Sequence, residues 1–171
     1  MSRVTRKSRA STLFIRADKC EERGEMGSAF RLMLAAAKLG DTGAQVNVGN
    51  YYADGKGVRR NRSAALYWYK RAYRRGDPCA ANNIGVLWRD EKNLQRALSW
   101  FFRAVKLGDD EAHLEIGKHY LHNEKNPRKA IPHFEHVKQS DWVTEAGVEE
   151  ATKLLAAAKR SLNAHHRRSA R

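Results

Sequence analysis

The residues best suited to bind a charged ligand lie between positions 42 and 77, where eight basic side chains accompany two acidic ones. Such a cluster can bind nucleic-acid phosphates or an acidic protein segment through charge. Apart from Tyr67, the aromatic residues of this stretch have the spacing of a buried helix face, which argues against stacking on bases. We define the basic patch as Lys56, Arg59, Arg60, Arg62, Lys70, Arg71, Arg74 and Arg75.

Five histidines between positions 113 and 136 form a second group of residues that could do chemistry. Histidines three residues apart on a helix can ligate a metal ion. Two of them, His119 and His133, stand where other parts of the chain carry Tyr51 and Trp68, so substitution at packing positions explains them without a metal. We therefore predict no metal site and no cofactor. The group comprises His113, His119, His122, His133 and His136.

Residues for covalent catalysis are sparse. The segment GKGV, which begins at Gly55, lies between helical patterns and lacks the spacing of a phosphate-binding loop. Cys79 has the carboxylate of Asp77 close by, which opposes formation of a reactive thiolate. Cys20 and Cys79 show no spacing that suggests a bridge, so we expect reduced thiols. The sequence predicts a protein that is not an enzyme.

The net charge of +14 is unevenly distributed, because residues 42–77 alone contribute +6 whereas residues 110–141 contribute −1. This asymmetry favours an acidic partner, either a protein segment or a nucleic acid. Another cause is equally open, since arginines outnumber lysines by 20 to 13, as a GC-rich genome can produce. No apolar run is long enough to span a membrane, and the start lacks the apolar core of a signal peptide, so we predict a cytoplasmic protein.

The sequence contains a repeated pattern, and the elements that this pattern predicts must position these side chains. Blocks rich in aromatic residues end in Gly-Asp at residues 29–41, 64–77 and 97–109, and a fourth, at residues 130–141, ends in Ser-Asp. A second recurring segment, AQVNVGNYY, returns as AANNIGVLW and AHLEIGKHY. A period in the thirties is typical of a solenoid, whose units bury their apolar faces by stacking.

Each recurring segment has the pattern of an amphipathic helix. In one block Ala65, Trp68, Tyr69 and Ala72 follow the spacing i, i+3, i+4 and i+7. A glycine returns inside the other helices, and because it costs about 1 kcal/mol there, we expect a neighbouring helix to pack against bare backbone. The Gly-Asp pairs are expected to end one helix and cap the next. The internal glycines are Gly49, Gly85 and Gly117.

The segment from Ala44 to Asp77 resembles a Sel-one-like repeat (SLR), a tetratricopeptide-related unit of two helices and a GxGV loop. The residues that match its pattern are Gly49, Tyr52, Gly55, Gly57, Val58, Ala65, Trp68, Tyr69, Ala72 and Gly76. The resemblance implies an all-α fold, an α/α solenoid of about four helical hairpins with a C-terminal capping helix. It also implies an adaptor without catalytic activity.

On this basis we divide the chain into a solenoid over residues 11–162 and two disordered basic tails, residues 1–10 and 163–171. The repeat units are residues 11–41, 42–77, 78–109 and 110–141, followed by a cap over residues 142–162.

In such a superhelix the first helix of each pair lines the inner groove. Asparagines at matching places suit an extended peptide, because each amide offers a donor and an acceptor; repeat ancestry alone would also place them there. The predicted groove residues are Asn47, Asn50, Asp54, Asn83, Val86, Asp90, Glu115, Lys118 and His122. We predict an adaptor that binds a protein or peptide in this groove, with electrostatic binding of nucleic acid or another polyanion as the alternative.

Overall fold

Nine α-helices and one π-helical turn occupy the described part of the chain, for which a computed structural model gives the backbone of residues 3–169 and the side chains of residues 5–163. No strand occurs within that part, and the predicted all-α class is confirmed. The helices are α1 (Arg3–Glu22), α2 (Met26–Lys38), α3 (Thr42–Asp54), α4 (Arg62–Tyr73), α5 (Pro78–Asp90), α6 (Leu94–Lys106), α7 (Ala112–Lys118), α8 (Pro127–Gln139) and α9 (Glu145–Ser169), with the π-helical turn at His119–Asn123.

The Gly-Asp pairs set the helix boundaries as predicted. Gly40 and Gly76 have φ angles of 97° and 83°, in the left-handed region that ends a helix. The carboxylate of Asp41 then accepts a hydrogen bond from the amide of Ala44 at 2.8 Å, which caps α3. Asp77 caps α5 in the same way through the amide of Ala80, at 2.9 Å. The helices therefore begin and end where the repeat pattern places them.

The chain forms two compact units, Met1–Leu87 and Trp88–Arg171. In the first, α1 packs on α2, α2 on α3 and α3 on α4. The ring of Tyr69 lies against the backbone of Gly49, so the close approach predicted at that glycine is confirmed. The core of this unit includes Ala17, Cys20, Ala29, Phe30, Met33, Ala36, Ala37, Ala44, Val48, Tyr51 and Trp68.

In the second unit α6 packs on α7, α7 on α8 and α8 on α9. The ring of Phe134 lies against Gly117, which repeats the arrangement of Tyr69 and Gly49. The helix α9 contributes Ala151 and Leu155 to the core, as expected of a capping helix. The other buried members of this core are Leu114, Ala130, Phe134 and Val137.

Both basic ends extend the helices further than predicted. We expected a disordered tail over residues 1–10, but α1 begins at Arg3, because Ala10 and Ala17 share a buried face seven residues apart. We also expected a tail from residue 163, but α9 continues to Ser169, and no glycine or proline follows Gly147 to stop it. Residues 1, 2, 170 and 171 of these predicted tails lie outside the described residues.

Candidate functional site

Three of the predicted groove residues of the first unit, Asn47, Asn50 and Asp54, line a cavity of about 320 Å³, whereas Asn83 and Val86 do not. Its walls come from α1, the start of α2, α3 and the loop after α3. Asn47 and Asn50 are half-buried at this surface and Asp54 is exposed. The lining residues are Glu21, Met26, Asn47, Asn50, Tyr51, Asp54 and Lys56.

Asn50 is held in one orientation by two donors. The hydroxyl of Tyr69 donates to its Oδ1 at 2.8 Å, and Nδ2 of Asn83 donates to the same oxygen at 3.2 Å. Burial raises the pKa of Tyr69, so that its hydroxyl remains a donor. With its oxygen occupied, Asn50 has its amide nitrogen to offer a ligand, since no described residue accepts from it.

The two carboxylates of the cavity are engaged within the protein. Glu21 accepts a hydrogen bond from the hydroxyl of Tyr51, whose pKa is raised by burial and by that carboxylate. Asp54 pairs with Lys56 at 3.2 Å. Asn47 makes only a long contact to Sδ of Met33, at 4.0 Å. The cavity therefore offers the amide groups of Asn47 and Asn50 beside a carboxylate, that of Glu21, which already accepts a hydrogen bond.

Sequence reasoning did not find Glu21, Met26 or Tyr51 as part of this site. Tyr51 is a buried packing position of its repeat, and its hydroxyl contacts Glu21 at the cavity. Glu21 lies on α1, a helix whose sequence has diverged from the repeat pattern. The recurrence of residue types therefore gave no signal for these three.

In the second unit three of the predicted groove residues, Asp90, Glu115 and Lys118, are held in ion pairs. Glu115 accepts from Arg89 and pairs with Lys118 at 3.1 Å. Lys118 also contacts Glu150 of α9 at 2.9 Å, and Arg89 contacts Asp90 at 3.2 Å. These charges neutralise one another, so few charged groups remain to bind a peptide backbone. His122 is exposed on the π-helical turn, and Val86, in the first unit, is half-buried.

Some side chains of the basic patch make contacts within the protein or are half-buried, and the others are exposed. Arg75 donates to the carbonyl of Gly40, and Arg71 stacks on the rings of Tyr67 and Trp68 with its guanidinium 5.8 and 5.2 Å from their centroids. Lys56 is paired with Asp54, and Arg62 is half-buried. The remaining cations are exposed, and no described residue forms an ion pair with them: Arg59, Arg60, Lys70 and Arg74.

Three histidines form a contiguous cluster in the second unit. Nδ1 of His113 lies 2.8 Å from Nδ1 of His133, and the ring of His113 stacks 4.0 Å from that of His136. Nε2 of His136 lies 3.1 Å from Oδ1 of Asp110. Burial, followed by the charges of His136 and His133, lowers the pKa of His113 to about 4. Within the described residues no three histidine, cysteine or acidic side chains are placed to hold a metal ion.

The Sel1 repeat family matches residues 26–41, 42–77 and 80–109. Among solved structures, the chain is similar to a Sel1 repeat protein from Oxalobacter formigenes, at 27% identity and a TM-score of 0.59. The chain is a Sel1-like repeat protein. It is also similar to c5321, a protective antigen of uropathogenic Escherichia coli strains with an SLR fold, at 15% identity and a TM-score of 0.61, which shows a common fold alone.

This Sel1-like repeat protein aligns over 80% of its own length with the first structure and over 93% with the second. It spans 61% of the first protein and 46% of the second, so it is shorter than both. A comparison with curated proteins finds no match. Sel1 repeats suggest a scaffold for protein interaction, and proteins of this family are generally non-catalytic.

The residues that define a Sel1 repeat here serve packing. Trp68 and Tyr69 are buried, and Gly49 admits the ring of Tyr69. The side chains between these positions, such as those of Asn47 and Asn50, remain partly exposed. Among the described helices none combines the length and apolar content needed to cross a membrane.

Proposed function

We propose that this Sel1-like repeat protein is a non-catalytic adaptor, acting in the cytoplasm, that holds an extended segment of a partner protein against α3. The segment would lie over the cavity lined by Asn47, Asn50 and Glu21. The observation that carries the proposal is the fixed orientation of Asn50, whose oxygen accepts from Tyr69 and Asn83. A side chain held in this way has lost its conformational entropy before a ligand arrives.

An extended peptide has backbone donors and acceptors without strand partners, and primary amides complement both kinds. Asn50 offers a donor, and Asn47 offers an acceptor as well, because its oxygen has no partner among the described residues. Met26 adds an apolar contact at the cavity edge, where it is partly exposed. The site thus supplies hydrogen bonds for the backbone and an apolar wall for one side chain.

Site-specific photo-crosslinking tests where the partner lies. A photoreactive residue would replace Met26, which lines the cavity, or Gln95, which is exposed on α6 in the second unit. We expect a partner from the native cell to be crosslinked at position 26 and not at position 95. Equal crosslinking at both positions, or crosslinking at position 95 alone, would reject the cavity as the site.

Binding of the purified partner then tests the amides. The double variant Asn47→Ala, Asn83→Ala loses the Asn47 hydrogen bond to the partner and the Asn83 bond that orients Asn50. At about 1 kcal/mol each, these losses should weaken binding by roughly tenfold to thirtyfold. The matched control, Gln95→Ala with Gln139→Ala, removes two exposed amides elsewhere. Helical content should be unchanged in both, and the first variant should lose about 1 kcal/mol of stability with the Asn83–Asn50 hydrogen bond. Undiminished affinity in the first double variant would exclude the asparagines from recognition.

Polyanion binding is the second candidate function, supported by the exposed and unpaired cations of the basic patch. Arg59, Arg60 and the neighbouring Asn61 border a shallow cavity of about 340 Å³ that could take a phosphate. Nucleic-acid affinity that falls steeply with salt, and that is lost in Arg59→Gln with Arg60→Gln, would support this function. Retained protein binding at several hundred millimolar salt, with no shift of DNA or RNA at low salt, would reject it.

A further inference from the structure

Trp142 is the most exposed large hydrophobic residue of the described chain, with 87% of its surface accessible. It lies in the connection between α8 and α9, and this connection is held in place. The amide of Trp142 donates to Oγ of Ser140 at 3.1 Å, and that hydroxyl donates to Asp110 at 2.6 Å. The indole is therefore presented to solvent by a loop with defined hydrogen bonds.

Carboxylates surround this loop. The connection between α6 and α7 is joined to it through Asp110 and Ser140, and also through Oγ1 of Thr144, which donates to Glu111 at 3.2 Å. More than half of the acidic residues of the chain, ten of nineteen, occur between positions 109 and 150. Four of these ten carboxylates flank the two joined connections and have no cationic partner among the described residues: Asp109, Glu111, Asp141 and Glu145.

Other acidic residues of the same unit are neutralised. Lysines pair with Glu124 and Glu149 at 3.0 and 2.6 Å, and with Glu135 at 2.9 Å. Glu115 and Glu150 share Lys118. The unpaired negative charge of this unit is thus concentrated around Trp142, although the protein as a whole carries +14.

Each of the other three tryptophans has an arginine stacked on its ring, and Trp142 does not. Arg71 lies 5.2 Å from the ring of Trp68. Arg96 lies 4.7 Å from Trp88, and Arg103 lies 4.5 Å from Trp100. Each of these rings thus carries a guanidinium, whereas no described cation stacks on Trp142.

We propose that Trp142 and three of these carboxylates, those of Glu111, Asp141 and Glu145, form a docking surface for an arginine- and lysine-rich segment of a partner protein. The face of an indole attracts a cation, and carboxylates form charge-assisted hydrogen bonds with the same groups. This surface would repel an acidic segment or a nucleic acid. It therefore selects a positively charged partner, whereas the basic patch selects a negatively charged one. The proposal goes beyond the adaptor function, because it does not involve the cavity at α3.

A labelled octapeptide of alternating arginine and lysine is the probe, with an octaglutamate and a Gly-Ser octapeptide as controls, all measured by fluorescence anisotropy on the full chain. We expect the basic peptide alone to bind, with an affinity that falls as salt rises. Trp142→Ala should weaken binding about tenfold, and Trp142→Phe should weaken it less, since the phenyl face is a poorer cation acceptor. Asp141→Asn with Glu145→Gln should also weaken binding and flatten its salt dependence.

Two matched controls separate this surface from general effects. Tyr67→Ala removes an exposed aromatic residue of the first unit, and Glu149→Gln removes a carboxylate that is already paired with Lys153. Both variants should bind the peptide as wild type does. Equal binding by wild type and Trp142→Ala, preference for octaglutamate, or no binding of the basic peptide would overturn the proposal. Self-association in the ultracentrifuge that Trp142→Ala abolishes would show a second copy as the occupant and would likewise overturn it.

Discussion

The ring of Tyr69 on α4 rests on the backbone of Gly49 on α3, in the space that a β-carbon would fill. This contact sets how closely the two helices of the repeat approach each other. The hydroxyl of the same tyrosine reaches Oδ1 of Asn50, one residue further along α3. One side chain thus fixes both the helix packing and the orientation of a candidate recognition residue.

Gly49→Ala should therefore destabilise the protein. A methyl group at this position would overlap the Tyr69 ring, and overpacking of a core typically costs about 1 to 3 kcal/mol. The gain of up to about 1 kcal/mol in helix propensity offsets part of this cost. We expect a net loss of about 1 to 2 kcal/mol in the free energy of unfolding, measured by urea denaturation followed by circular dichroism.

Gly43→Ala is the matched control, because Gly43 lies in the same helix. A β-carbon there would meet Asp41 and Phe14 at 3.5 Å, which is an ordinary van der Waals distance. This variant should be neutral or slightly stabilising through helix propensity. If Gly49→Ala proved as stable as Gly43→Ala, the close packing of Tyr69 on Gly49 would be wrong.

Trp68→Ala should cost about 3 to 5 kcal/mol, because Trp68 is 7% exposed and belongs to the core of the first unit. Its neighbour Tyr67 is 54% exposed and contacts Trp68 edge-on, so Tyr67→Ala provides a control of similar size. We expect Tyr67→Ala to lose less than about 1 kcal/mol in the same denaturation assay. Similar losses from the two variants would contradict the assignment of Trp68 as the buried anchor.

Tyr69→Phe should affect recognition more than folding. It removes the hydrogen bond to Asn50 and keeps the ring on Gly49, so the stability loss should be about 0.5 to 1.5 kcal/mol. Asn50 would then keep only the donor of Asn83 and could rotate. We expect weaker binding of the partner identified by crosslinking at position 26, with helical content unchanged. Unaltered affinity would show that the orientation of Asn50 is irrelevant to recognition.

The helices and their boundaries were predictable because local rules determine them. The apolar spacing of Ala65, Trp68, Tyr69 and Ala72 predicted a buried face, and all four are buried. The helical structure of residues 3–10 in α1 escaped prediction because Ala10 is the buried residue there, and small residues give a weak apolar signal.

The candidate site could be predicted only in part. Recurrence located Asn47 and Asn50, since both lie on one face of α3 at the cavity. The recurrence of residue types could not show that Glu115 forms ion pairs with Arg89 and Lys118, because ion pairing depends on the distances between side chains in the folded chain. Nor could it show Glu21 at the cavity, since that contact crosses from a diverged helix to Tyr51.

The histidine cluster should make stability depend on pH. A hydrogen bond between the ring nitrogens of His113 and His133 requires that one of them be unprotonated, and burial lowers the pKa of both rings. The pKa of His113 falls from its ordinary value of 6.5 to about 4. His136 stacks on this ring and opposes its protonation, whereas Asp110 favours it.

The sign of the effect follows from proton binding. Between about pH 6.5 and pH 4 the unfolded chain binds a proton at His113 that the folded chain does not, so stability is full above pH 6.5 and falls as the pH falls through this window. After allowance for solvent screening, we expect a loss of about 1 to 2 kcal/mol between pH 7.5 and pH 5. His113→Asn places an uncharged amide near the position of Nδ1 and should reduce this loss by at least half, measured by urea denaturation at both pH values. His122→Asn, at an exposed histidine outside the cluster, should leave the loss unchanged, and an equal reduction in both variants would show that the cluster is not its source.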